Sequence, residues 1–355
     1  MDTLESLLWL KKNNLFNRCL SYSQQLKVIF TDCLGIKDED ILVVGDTGTQ
    51  DRQVAPLFAG SCFLAARFLN LNVKLVFQDP NSNLVGNDVM TAIERIRPGS
   101  ALVMSLSGKI GKITEVEKPF KRFCRERRLR YTSTPSLGTL KTNMINTLVN
   151  SICLDYRQLN AIHTELKSIM DNGSVIHVKT KAGTDLTVNI NGSTSFSSDG
   201  YHRTEGHGGN LPAGEVFIAP AKRGVNGKVV IDCSSRSINT TSIIREPITL
   251  FISNGEIIEI KGGKEALLLE QSIQHGEQTG KNDWGHRMIG EFGIGLNPNA
   301  KICGSMIIDE KVKGTAHIAI GSNHWFGGHI FSSIHLDQVF KNPEITVDGK
   351  YLKIE

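Results

Sequence analysis

From residue 40 to residue 152 the chain alternates short β-branched runs with apolar stretches of helical length, and past residue 165 that alternation gives way to many short strands. The runs "DILVVGD" (40–46), "VKLVFQD" (73–79), "SALVMSL" (100–106) and "LRYTST" (129–134) read as strands. The stretches 53–70, 88–96, 118–128 and 140–152 carry the spacing of helices. Strands alternating with helices predict a parallel sheet covered on both faces. After a helix over 155–171, residues 173–192 read as a hairpin around "KAGTD". Further strands follow at "GEVFIAP", "GKVVIDC", "ITLFISNGEIIEIKGG", "KICGSMIID" and "GTAHIAIG", with a helix over 264–276. The expectation is an α/β N-terminal domain with a mostly parallel sheet over 1–165, and a β-rich α+β C-terminal domain over 166–355.

Composition narrows the class. Hydrophobic content of 40%, 21% charged residues and a formal charge of +4 describe a globular chain with no overall case for nucleic acid. The basic stretch "KPFKRFCRERRLR" (118–130) places Phe120, Phe123 and Cys124 at helical spacing, which reads as a solvated helix face. The turn "GDTGTQ" (45–50) lacks both G-x-G-x-x-G and G-x-x-x-x-G-K-[ST], so it gives only a weak phosphate-loop signal. Seven scattered cysteines without C-x-x-C suit reduced, buried thiols. Residues 1–30 lack the layout of a signal peptide, and no apolar run approaches the ~20 residues of a membrane helix. A soluble, cytoplasmic protein is expected.

Chemistry concentrates late. Residues 314–338, "GTAHIAIGSNHWFGGHIFSSIHLDQ", hold four histidines and an aspartate among glycines and β-branched residues. His335 and Asp337 lie two apart in an extended segment and therefore share a face. His317 sits in the alternating strand T-A-H-I-A-I, where a buried ring needs partners. Glu215, Glu291 and Glu310 each stand near glycine or proline beside a strand. Carboxylates and imidazoles without thiolate suit Zn, Mn, Co or Fe(II), and their number suffices for two ions with a shared carboxylate. Each residue taken singly has a plainer reading, as a satisfied core histidine or a solvent-facing glutamate. His202 and His207 read as exposed loop residues, His329 as a loop residue, Trp325 as a pocket wall, and Cys233 and Cys303 as packing residues. His163, His177, His275 and His286 join no pattern.

The elements "LPAGEVFIAP", "GEFGIGLNPNA", "DEKVKGTAHIAIG", "FGG" and "IHLDQV" resemble, in order, the thermophilic metallo-aminopeptidase family of aminopeptidases S and T with their shorter leucyl aminopeptidase-like members. The resemblance implies that Glu215, Glu291, Glu310, His317, His335 and Asp337 hold two divalent ions (Zn, Co, Mn or Mg). It implies a peptide substrate, attacked at its first peptide bond by a metal-activated water, and a homodimer. Two positions depart from the longer members: Gly214 replaces a glutamate and His324 a tyrosine. Glu215 and His324 are then the candidate catalytic residues, with His324 assisting at the oxyanion or the leaving amine. The same superfamily looks to include 2,5-dihydroxypyridine dioxygenase, which implies an alternative. In it His317, His335 and Asp337 form a facial triad for one Fe(II) in a ring-cleaving enzyme. A binding module with structural metals, or none, is the third class.

Overall fold

The computed structural model describes residues 1–80, 85–109, 120–280 and 284–353; Lys118 and Pro119 of the expected basic helix lie outside them. Contacts divide the chain into two compact units, 1–157 with 200–213 and 158–199 with 214–355. The first part runs α1 (Thr3–Lys12), α2 (Phe16–Ser23), β1 (Ile41–Asp46), α3 (Val54–Phe68), β2 (Val73–Gln78), α4 (Asn87–Glu94), β3 (Ala101–Ser105), α5 (Phe120–Glu126), β4 (Arg130–Thr134), α6 (Ile145–Ile152) and α7 (Tyr156–Asn172). Then come β5 (Val175–Lys179), β6 (Asp185–Asn189), β7 (Ser195–Ser198), β8 (Gly208–Asn210), β9 (Glu215–Ile218), β10 (Val225–Ile231), β11 (Ser234–Arg236) and β12 (Thr241–Ile243). The chain ends with β13 (Ile248–Ser253), β14 (Glu256–Lys261), α8 (Lys264–Thr279), β15 (Ile289–Gly295), α9 (Met306–Asp309), β16 (Thr315–Gly321), β17 (His335–Lys341), β18 (Glu344–Val347) and β19 (Lys350–Tyr351).

In the first unit a five-stranded sheet has the order β2-β1-β3-β4-β8, with every pairing parallel. All six residues of β1 are buried, as a central parallel strand requires. Leu42, Val44, Val76, Leu102 and Met104 pack with Val89 and Ile93 of α4 and Phe123 and Cys124 of α5 in one apolar cluster. The basic helix thus turns Phe123 and Cys124 inward. The cations at and beyond its end are engaged: Arg127 donates to the carbonyls of Glu94 and Ile96, and Arg128 pairs with Glu205. At the amino terminus Asp2 and Glu5 exchange backbone and side-chain hydrogen bonds, a capping box that starts α1.

The second unit holds two seven-stranded sheets, β14-β13-β10-β6-β5-β18-β19 and β12-β11-β17-β16-β15-β9-β7. In the second of these all described pairings are antiparallel. Because side chains alternate, one face of β9, β15, β16 and β17 carries Val216, Phe292, Ile294, Ile318, Ile320, Leu336 and Phe340, all buried. The other carries Glu215, Glu291, His317, His335 and Asp337 among Gly293, Gly295, Ala319 and Gly321. The small residues leave room above the sheet for the polar side chains.

Three readings of the sequence need correction. The boundary placed near 165 falls inside α7, and residues 200–213 belong to the first unit, to which they add β8. "KICGSMIID" is not a strand. Asp309 folds back to accept from the Cys303 and Gly304 amides, at 2.7 and 3.0 Å, and the segment closes into the short helix α9. His202 is buried rather than exposed, whereas His207 is exposed. All seven cysteines are among the described residues, and none of them forms a disulfide. Among the described residues no helix is long and apolar enough to cross a membrane.

Candidate metal centre

Five of the six expected ligands converge on one face of the sheet. The antiparallel register sets His317 opposite Gly293, Glu291 opposite Ala319, Asp337 opposite Ala319 and His335 opposite Gly321. Glu215, at the start of β9, enters beside Gly295. Two groups result whose ligand atoms lie within 4.8 Å of one another: Glu215, Glu291 and His317, and then Glu291, His335 and Asp337. Glu291 joins them. One of its oxygens is 3.1 Å from His317 Nε2 and the other 3.6 Å from His335 Nε2. His335 Nε2 is also 3.2 Å from Asp337 Oδ1. The facial triad of His317, His335 and Asp337 does not form one group; Glu291 stands between the two imidazoles.

Glu310 does not enter either group. Its carboxylate, and that of Glu215, accept from the ammonium of Lys311, whose side chain is 2% exposed. Burial opposes a charge on Lys311, but the two carboxylates outweigh it and hold the ammonium well above its ordinary range. This lysine carried no signal in the sequence, because "DEKVKG" contains two lysines and nothing marks one as buried.

The donor set suits a cation. Four buried or half-buried carboxylates gather here, Glu215 and Glu310 on the Lys311 ammonium and Glu291 and Asp337 on the imidazoles, and burying like charges together is costly unless positive charge joins them. His335 Nδ1 lies 2.8 Å from the Ser322 carbonyl, to which it donates, so Nε2 points at Glu291 and Asp337. A backbone carbonyl behind a metal-binding imidazole orients it in this way. Without an ion, protonated imidazoles supply the counter-charge instead. Burial opposes it, yet Asp337 and Glu291 push His335 up to about 10, and Glu291 and Glu215 push His317 up to about 9. Burial likewise resists ionisation of Asp337, but His335 holds its carboxyl below the usual range.

An ion must displace those protons. Both imidazoles are protonated in metal-free chain at neutral pH, so metal affinity rises with pH, falls as pH drops, and binding releases protons. Calorimetry in buffers of different ionisation enthalpy counts them. Independence of metal affinity from pH between 6 and 9 would contradict this arrangement.

Gly293 makes the site possible. A Cβ there would stand 2.2 Å from His317 Nε2. Gly293→Ala is expected to push the imidazole aside and lower metal affinity about 10- to 100-fold, the range seen when ligand orientation is lost. Circular dichroism and metal titration separate that from unfolding. Gly214 is equally constrained. Its φ is +124°, and a Cβ would meet Asn297 Cβ at 2.6 Å, so the backbone here is shaped for glycine and not for a glutamate.

His335 is the open member of the cluster, its side chain 24% exposed against 9% or less for Glu215, Glu291, His317 and Asp337. Trp325 lies against it, ring centroids 5.0 Å apart. His324 is exposed, stacks on Phe331 at 4.7 Å, and has Nδ1 2.9 Å from Ser322 Oγ. His329 is exposed. Cys233 packs with Met306 and Val339, and Cys303 is half-buried. His163, which showed no pattern, is buried with Nδ1 2.8 Å from Ser197 Oγ, and burial pushes it down to about 4.

A family profile described as NicX, 2,5-dihydroxypyridine 5,6-dioxygenase, matches residues 155–353, more than half of the chain. The chain belongs to this family. Among curated relatives of the family member described here, the 2,5-dihydroxypyridine 5,6-dioxygenase of Pseudomonas putida is 28% identical over 205 residues, covering 55% of this chain and 56% of that protein. Aminopeptidase AmpS of Bacillus subtilis is 29% identical over 169 residues, covering 46% of this chain and 40% of that protein. The chain thus matches about half the length of these relatives. Among solved structures, 2,5-dihydroxypyridine dioxygenase from Pseudomonas putida superposes with a TM-score of 0.70 at 18% identity, covering 94% and 95% of the two chains. AmpT from Thermus thermophilus gives 0.61 at 16% identity, covering 97% of each. The α/β and β-rich architecture is the fold shared by the dioxygenase and aminopeptidase structures.

Proposed function

We propose that this chain holds one ferrous ion and cleaves an aromatic ring diol with dioxygen. The observation that carries the reading is Lys311. A second divalent ion beside Glu215 and Glu310 would need the place that the ammonium takes, and the charge those carboxylates call for is already supplied covalently by the chain. Lys311 takes one oxygen of Glu215 and so weakens the group of Glu215, Glu291 and His317 as a second ion site, which leaves Glu291, His335 and Asp337 as the better-provided group for a single ion. Gly214 supports the same reading, since a general base cannot be built at that position without moving Asn297. The family profile favours it as well.

A ferrous ion bound there supplies open coordination positions and the one-electron chemistry that lets dioxygen react with an organic ring. The residues do the rest. Lys311 supplies a positive charge to Glu215 and Glu310, which burial pushes above the usual carboxylate range and the ammonium pulls back down. Trp325 walls the open side against water. Dioxygen provides both oxygen atoms and the oxidising equivalents for ring opening, so no outside reductant is needed.

The aminopeptidase reading retains the resemblance of the C-terminal motifs and the AmpS relative, and it calls for two ions, a peptide substrate and a homodimer. Oxygen uptake on 2,5-dihydroxypyridine by iron-loaded protein, set beside hydrolysis of aminoacyl anilides by zinc-, cobalt- or manganese-loaded protein, decides between them. Hydrolysis without oxygen uptake would sink the proposal.

A further inference from the structure

We propose that Arg236 and Trp325 form a substrate subsite for a planar ring that carries a carboxylate; this rests on the single-ion reading above. The two candidate ligands on β17 are flanked by different chemistry. Trp325, 53% exposed, lies against His335 with its ring tilted at 59°, and Phe331, 52% exposed, stacks on the neighbouring His324. Arg236 lies beside Asp337. The β11–β17 register pairs Ser234 with Val339 and Ser235 with Gln338, and one step further along the strands it brings Arg236 to the rung of Asp337, on the same face. Gln338 Nε2 donates to the Arg236 carbonyl at 3.0 Å, which fixes the backbone there.

Arg236 is half-buried; among the described residues its guanidinium makes no hydrogen bond or close ion pair, and its charge acts at longer range on Asp337, whose carboxyl it helps to hold below the usual range. A guanidinium that has lost part of its hydration and touches no anion directly is matched by a carboxylate, which accepts two parallel hydrogen bonds from it. The rest of the centre is rich in carboxylates and repels a further anion, so the place beside Arg236 is where a substrate's negative group can settle. The exposed indole next to His335 then offers the flat surface on which a ring stacks.

Anaerobic titration of metal-loaded protein with 2,5-dihydroxybenzoate and with 2,5-dihydroxypyridine, followed by tryptophan fluorescence, tests this. Wild type is expected to bind the carboxylate-bearing probe about ten-fold tighter, the scale of a charge-assisted pair. In Arg236→Gln the ratio between the probes is expected to fall toward unity, and Arg236→Lys to keep part of it. Trp325→Leu is expected to weaken both probes. A wild type without the preference, or an Arg236→Gln variant that retains it, overturns the proposal. Elemental analysis of the same samples keeps the two ideas apart. Two ions per chain would contradict the single-ion reading whatever the probes do, whereas one ion with no carboxylate preference overturns the subsite alone.

Discussion

Lys311→Ala is expected to lower the stability of the metal-free chain by about 3–5 kcal/mol, the cost of leaving a buried charge without its partner. It is expected at the same time to raise the number of ions bound at saturating zinc from one to two. Both effects have one cause. The ammonium stands between Glu215 and Glu310 in the interior, and its removal leaves two carboxylates facing each other in a space that a small cation fits. Thermal unfolding with chelator and then with zinc measures the first effect, and zinc should recover most of the loss. Adding Glu310→Gln to Lys311→Ala removes one of the two stranded charges, so the double variant should be more stable than the single one. If Lys311→Ala matched wild type in stability and still bound one ion, the lysine would not be acting as a built-in cation.

The second large effect is expected at Glu291. Glu291→Gln keeps the size of the side chain but removes the carboxylate that both ligand groups share. Metal affinity should fall by more than about 100-fold, since losing an outer partner alone costs 10- to 100-fold. The amide leaves His317 and His335 with fewer counter-charges, so protons leave both rings at lower pH than in wild type. NMR titration of the imidazoles, with metal titration on the same variant, reads both outcomes. Wild-type metal affinity in Glu291→Gln would remove Glu291 from the centre.

Much of this site was legible along the chain because its members sit in strands. A period of two puts His335 and Asp337 on one face without knowledge of the fold, and the glycines near Glu291 and His317 hint at a crowded sheet. Lys311 could not be read in this way. Whether Lys311 or Lys313 turns inward is decided by the tight turn after α9, where the Lys311 amide donates to the Ile308 carbonyl and Asn297 bridges to Val312. Glu310 was read as a ligand for the same reason: its distance from His317 in sequence says nothing about an ammonium placed between. Arg236 was invisible because its meaning depends on which strand pairs with β17.

The fold divides along similar lines. The parallel strands β1 to β4 announce themselves as continuous apolar runs, since both of their faces are covered. β8 is spelled Gly-Gly-Asn, with no strand-forming residue, and joins its sheet solely by pairing with β4. Residues 301–309 carry the β-branched composition of a strand, but the Asp309 carboxylate captures two amides and closes a helical turn. Local hydrogen bonding outweighed propensity there.

The central claim is that a lysine fills the place of a second metal. Metal count per chain on wild-type protein saturated with zinc or, anaerobically, with iron tests it most directly, by elemental analysis against amino-acid quantitation. The account predicts one ion per chain, lost on Glu291→Gln and doubled on Lys311→Ala. Two ions per chain in the wild type, with Lys311 intact, would contradict it.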